Sequence, residues 1–121
     1  MPKSDRANLL AILDAIAKIE QYVQGFTQSD ELYGDSRSFD ATMMNFVLIG
    51  EMVDRVSDQT KSKHPEVNWK QINGFRNIIA HNYLGIDAEE VWQIVQNHVP
   101  RLQKQLAAVL ADLPPDAPAQ K

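Results

Sequence analysis

Apolar residues recur at three- and four-residue steps along almost the whole chain, and that spacing limits the fold more than any other feature. Leu9, Ile12, Leu13, Ile16, Ile19 and Val23 form one stripe. Val91, Ile94, Val95, Val99, Leu102, Leu106, Val109 and Leu110 form another. A 3.6-residue repeat places such positions on one face of an α-helix. No segment alternates at period two for long enough to make a strand. The expectation is an all-α protein, an antiparallel bundle of four to five helices joined by short connections. At 121 residues with no internal repeat, the chain is read as one helical domain over 1–112. A disordered tail over 113–121 is expected to follow, because Pro114, Pro115 and Pro118 fall there.

Local signals divide the helices. Ser4 or Asp5 caps the first, and Gly25 ends it. Residues 27–37 are polar and Gly-broken, and read as a loop with one short turn at most. A second helix is expected from near Ser38 to about Lys63. Phe39, Met43, Phe46, Val47, Gly50, Val53 and Val56 form its stripe, while Met44, Leu48, Ile49 and Met52 fall outside it. That apolar arc is too wide for a helix burying one face. The helix is therefore either central in the bundle or shared with a second chain. Gly50 in mid-helix costs about 1 kcal/mol against Ala, which points to a close helix–helix approach there. Pro65 breaks the chain. Asn68 then caps a third helix carrying Trp69, Ile72, Phe75, Ile78 and Ile79, and Gly85 fits its C-terminal stop. Asp87 and Glu90 make a capping-box-like start to a fourth helix, which Pro100 is expected to kink.

Composition narrows the function classes. The chain has no Cys, which excludes disulfide frameworks, zinc ribbons and thiol catalysis. It has no apolar run long enough to span a bilayer and no signal-peptide block, so a soluble, cytoplasmic protein is expected. The net charge is -4, which by itself argues against binding nucleic acid through phosphates. The distribution is uneven, however. Residues 61–83 hold Lys61, Lys63, Lys70 and Arg76 against Glu66 alone, a net of +3 that leaves -7 for the remainder. An acidic protein with one basic island binds a polyanion locally. Lys61, Lys63 and Lys70 are thus candidate RNA contacts, or else a solvated face.

One segment carries chemistry. Arg76, Asn77, His81 and Tyr83 crowd the end of the third helix. Arg76 and Tyr83 are seven residues apart and share a stripe at the edge of the core face, and Asn77 and His81, four apart, share the next face. His64 and His98 belong to no Glu-x-x-His or His-x-x-x-His pattern, so no metal ligand set is expected, and no cofactor. His98 reads as a packed or capping residue. Arg offers a fork of donors to a phosphate, and His gives or takes a proton near neutral pH. Without metal, that pair suits RNA cleavage. A base frees the ribose 2′-oxygen to attack the adjacent phosphate, and the cation stabilises the growing charge. In-line displacement needs a base and an acid, so one His81 is a group short, and a two-fold dimer supplies a second. The bland alternative is that Arg76, Asn77 and His81 are surface and capping residues, with Tyr83 packing its ring.

At this segment the sequence resembles the HepT-like toxins of the HEPN superfamily. Their motif is Arg, four residues, His, one residue, Tyr, with Asn directly after the Arg, and Arg76, Asn77, His81 and Tyr83 match every position. Ile49-Gly50-Glu51, the run His64-Pro65-Glu66-Val67-Asn68-Trp69, Gly85-Ile86-Asp87, Val91-Trp92 and Val99-Pro100 also look like family landmarks, so the likeness covers roughly residues 5–110. Asn68 departs from the pattern, since many relatives have Pro before the Trp. The resemblance implies a homodimeric helical bundle and a metal-independent endoribonuclease toxin, with Arg76 and His81 catalytic and Asn77 supporting. It also implies an antitoxin, a minimal nucleotidyltransferase of the MntA type that transfers AMP to Tyr83. The alternative is a non-catalytic helical subunit that docks such a nucleotidyltransferase.

Overall fold

A computed structural model describes residues 4–82 and 88–114, apart from the side chains of 77–82. Among the described residues all regular structure is helical. Four long helices match the four expected: α1 (Asp5–Val23), α3 (Ser36–Arg55), α5 (Trp69–Asn82) and α7 (Val99–Asp112). Three short ones were not expected as separate elements: α2 (Ser29–Gly34), α4 (Asp58–Lys63) and α6 (Ala88–Gln93).

The caps explain the boundaries. Ser4 Oγ accepts from the Ala7 amide at 3.1 Å to start α1, and Gly25 takes φ +90° just beyond its end. The expected loop over 27–37 contains α2, whose entry is held by Glu31 accepting from both the amide and the hydroxyl of Thr27. The expected single helix from Ser38 to Lys63 is two helices. Val56 is extended at ψ 136°, and Ser57 caps α4 by accepting from the Thr60 amide. Ser57-Asp58 is an N-cap signal inside an apolar stripe, and the tertiary structure reinforces it. Asp5 of α1 accepts from the Ser57 amide at 2.9 Å, from its hydroxyl at 2.6 Å and from the Thr60 hydroxyl. Val56 meanwhile buries its side chain as a wedge.

α3 is the central helix, packed on α1 on one side and α5 on the other, with α7 closing against α1. The core runs through Leu9, Ile12, Ile16, Phe46, Ile49, Val53, Leu106 and Val109. Ile49 and Met52, outside the expected stripe, are buried because α3 has a neighbour on each flank. Met44 and Leu48 stay open, at 67% and 39% exposure. Central placement therefore accounts for most of the wide apolar arc, and Met44 and Leu48 are its uncovered part.

Pro100 has no amide proton to give to a carbonyl one turn back. The helix accommodates it by widening rather than by a simple kink. Ile94–His98 is a π-helical segment, and the Val99 amide donates to Ile94 O before α7 resumes its regular pitch. The C-terminal end of α7 is held by Arg6, whose Nη2 donates to Leu113 O at 2.9 Å and Pro114 O at 3.3 Å. Most of the expected disordered tail, 115–121, lies outside the described residues, as do the expected Gly85 stop and Asp87 cap. No described helix is long and apolar enough to cross a membrane.

Candidate functional site

The motif helix α5 starts where the sequence places it. Asn68 Oδ1 accepts from the Gln71 amide at 3.0 Å. Just upstream, Trp69 Nε1 donates to His64 O at 3.1 Å. The His64 ring lies between Glu66, 3.1 Å from Nδ1, and Asp112, 3.2 Å from Nε2. His64 thereby ties the loop before the motif to the end of α7.

Ile72 and Phe75 turn the inner face of α5 into the core, and Phe75 meets Phe46 edge to face at 5.5 Å. The next face points at α3. Gly50 is the point of closest approach: a Cβ built there would lie 2.9 Å from Arg76 Cβ and 3.6 Å from Asn73 O. The close approach expected from a mid-helix glycine is therefore present, and it occurs at the motif arginine.

This approach places Arg76 between two carboxylates one helical turn apart on α3. Arg76 Nη1 donates to Glu51 Oε1 at 2.7 Å and to Asp54 Oδ2 at 3.3 Å. Asn73 Nδ2 holds the other oxygen of Asp54 at 2.9 Å. The hydrogen bond to Glu51 is the main reason the guanidinium pKa is raised, with the charges of Asp54 and Glu51 adding to it against partial desolvation. Both carboxylates take the same nitrogen. Among the described residues no hydrogen bond engages Nε or Nη2, and the side chain is 29% exposed. The contact fixes one terminal nitrogen of a planar fork whose paired donors suit a phosphate.

Glu51 and Asp54 are the residues sequence reading missed. Glu51 stood out only as part of Ile49-Gly50-Glu51, and Asp54 not at all. The available signal was two acids three apart on one helical face beside a glycine. Their placement also changes the basic island. Arg76 meets carboxylates from outside residues 61–83, and Lys61 faces Asp5, whose pKa it helps to lower. Lys61 and Lys63 lie in the last turn of α4, and Lys70 in the first turn of α5.

His81 follows Arg76 by five residues, about 7.5 Å along the α5 axis, and lies in its last turn. The side chains of Asn77 and His81, and Tyr83 altogether, lie outside the described residues. His98, expected to be packed or capping, is half-buried at the end of the π-helical segment, and Arg101 Nη2 is 2.9 Å from its Nδ1. Among the described residues no group of three or more His, Asp or Glu side chains is close enough to hold a metal ion.

Comparison with known proteins gives a consistent picture. A family model described as Ribonuclease HepT-like matches residues 12–109. A protein of Methanocaldococcus jannaschii, provisionally named an RNase, is 33% identical over 114 residues, covering 93% of each chain. One from Caldanaerobacter subterraneus, named in the same way, is 29% identical over 108 residues, covering 89% of this chain and 96% of its own. A protein of Thermococcus cleftensis provisionally named ribonuclease HepT is 28% identical over 103 residues, covering 85% of this chain and 93% of its own. No solved structure gives a significant match.

Proposed function

Because this chain belongs to the HepT-like ribonuclease family, we propose that it is a metal-independent endoribonuclease toxin whose active cleft forms between two copies. The observation that carries this reading is Arg76, fixed to Glu51 at 2.7 Å with the rest of its fork unengaged among the described residues. A guanidinium held in place before substrate arrives stabilises charge on a phosphoryl group without reorganising in the transition state.

In this mechanism His81 of one protomer takes the proton from a ribose 2′-hydroxyl. The 2′-oxygen attacks the adjacent phosphorus, and the bond to the 5′-oxygen breaks. His81 of the partner subunit gives that leaving oxygen a proton. The products are a 2′,3′-cyclic phosphate and a 5′-hydroxyl. DNA lacks the attacking group and is spared. Arg76 faces the phosphoryl oxygens, and Asn77 supports the substrate's polar edges. Lys61, Lys63 and Lys70 extend the contact to flanking phosphates. The uncovered Met44 and Leu48 on α3 leave apolar surface for the two-fold pairing.

Neutralisation follows the same electrostatics. A nucleotidyltransferase antitoxin transfers AMP to Tyr83, seven residues after Arg76. Each nucleotide added there brings a phosphate to the cation meant for RNA. Mass spectrometry of the protein co-expressed with the antitoxin tests this, with AMP adducts expected on Tyr83.

The test of the activity itself is cleavage of total RNA by the purified protein. His81→Ala and Arg76→Ala are expected to abolish cleavage and growth inhibition while the dimer persists in light scattering. Retained cleavage in His81→Ala overturns the mechanism. RNA left intact by the unmodified protein at high concentration indicates instead a non-catalytic partner of the nucleotidyltransferase.

A further inference from the structure

A second polar cleft lies on another face of α5, against α7. It has a volume of about 220 Å³. Ile72, Phe75 and Leu102, all at least 95% buried, form its floor. Gln71, His98 and Arg101 stand at its rim together with Glu66, whose carboxylate lies 3.1 Å from His64 Nδ1. A neighbouring hollow of about 440 Å³ shares Gln71, Phe75 and His98, so His98 stands between the two.

The rim chemistry is specific. Arg carries only donors, so the 2.9 Å contact makes His98 Nδ1 the acceptor and leaves the ring proton on Nε2. Arg101 is thereby held by one nitrogen and remains exposed. The π-helical segment ending at His98 shifts the register of the rod, so the residues before and after it do not share one regular stripe. An apolar floor with a cation and amide groups at its rim is the combination single-stranded nucleic acid uses, with the base against the floor and the phosphate on the cation.

We propose that this cleft is an RNA subsite that takes one nucleotide away from the scissile bond, its base against Ile72, Phe75 and Leu102 and its phosphate on Arg101. The inference rests on the ribonuclease reading above. The cleft lies between α5 and α7 while Arg76 meets α3, so a strand bound at both would wrap part-way round α5. The subsite then governs affinity for longer strands and plays no part in bond breaking.

The experiment compares the full-length protein with Arg101→Ala, Arg101→Lys and, as a charge control on another helix, Arg37→Ala. A fluorescein-labelled single-stranded RNA is followed by anisotropy, and cleavage is measured on that RNA and on a dinucleotide. Arg101→Ala is expected to raise Kd and KM for the long strand about tenfold, the loss of one charge-assisted contact. Its kcat, and cleavage of the dinucleotide, stay unchanged. Arg101→Lys recovers part of the affinity, and Arg37→Ala has little effect. Unchanged long-strand affinity in Arg101→Ala overturns the subsite, and so does an equal loss on the dinucleotide or an equal loss in Arg37→Ala. Failure of the unmodified protein to cut any RNA counts against the ribonuclease reading instead, and the anisotropy comparison still decides the subsite.

Discussion

A methyl group on Gly50 would come within 2.9 Å of the Arg76 β-carbon, so the absence of a side chain at one position of α3 sets where the motif arginine of α5 stands. The obstacle is a β-carbon tied to the helix backbone, with Asn73 O close behind, and neither moves aside like the end of a flexible chain.

Gly50→Ala is therefore expected to destabilise the protein despite the better helix propensity of Ala. Overpacking costs about 1–3 kcal/mol against a propensity gain of about 1 kcal/mol. Gly74→Ala is the contrast. Gly74 is also in mid-helix, but among the described residues nothing lies within 4 Å of its built Cβ. It is expected to stabilise by about 0.5–1 kcal/mol. Urea midpoints of the two variants check the pair, and equal signs would refute the account.

Glu51→Gln keeps the size of the side chain and removes the charge that holds Arg76 Nη1. The guanidinium keeps Asp54 and a neutral acceptor but is held less firmly, and kcat for RNA cleavage is expected to fall about tenfold, the scale of one misaligned electrostatic contact. The thermal midpoint should hardly move, because the pair is partly exposed to solvent. Glu51→Asp, which keeps the charge on a shorter stem, should recover part of the activity. A large drop in midpoint with kcat unchanged would assign Glu51 to structure alone.

Asp5 supplies an acid-sensitive tie between α1 and the α3–α4 junction. Burial raises its pKa, but hydrogen bonds from the Ser57 and Thr60 side chains and the Ser57 amide, with the charge of Lys61, outweigh this and leave it below 3.8. A carboxyl depressed in the folded state stabilises the fold above its unfolded pKa, and that stability is lost as pH falls through the folded value. Asp5→Asn should thus be less stable than the unmodified protein at neutral pH, and the gap should close in strong acid. Denaturant midpoints across the acid range measure it, and a pH-independent gap would remove the electrostatic explanation.

Cleavage is expected to weaken steadily as salt rises, since the substrate is held through phosphates. Lys63→Ala and Lys70→Ala, both exposed, should each flatten that dependence while leaving kcat on a dinucleotide unchanged. Rates indifferent to salt would make the lysines a solvated face.

The sequence by itself determined the helical class, the four long helices and most of their caps. Ser4, Gly25 and Asn68 act through neighbours a few residues away, and such local preferences are written in the chain order. It also located the motif and, through Gly50, a close helix contact. Only the tertiary structure decided what that contact brings together. Glu51 and Asp54 reach Arg76 across 25 and 22 residues of chain, and Asp5 reaches Ser57 and Thr60 across 52 and 55, splitting what reads as one helix. Periodicity tells which face of a helix is apolar but not which helix lies opposite, and the charge of residues 61–83 was counted along the chain while its neutralising carboxylates lie outside that segment. Electrostatics depends on distance in space, so the carboxylates that surround Arg76 among the described residues were placed by the packing of α3 on α5.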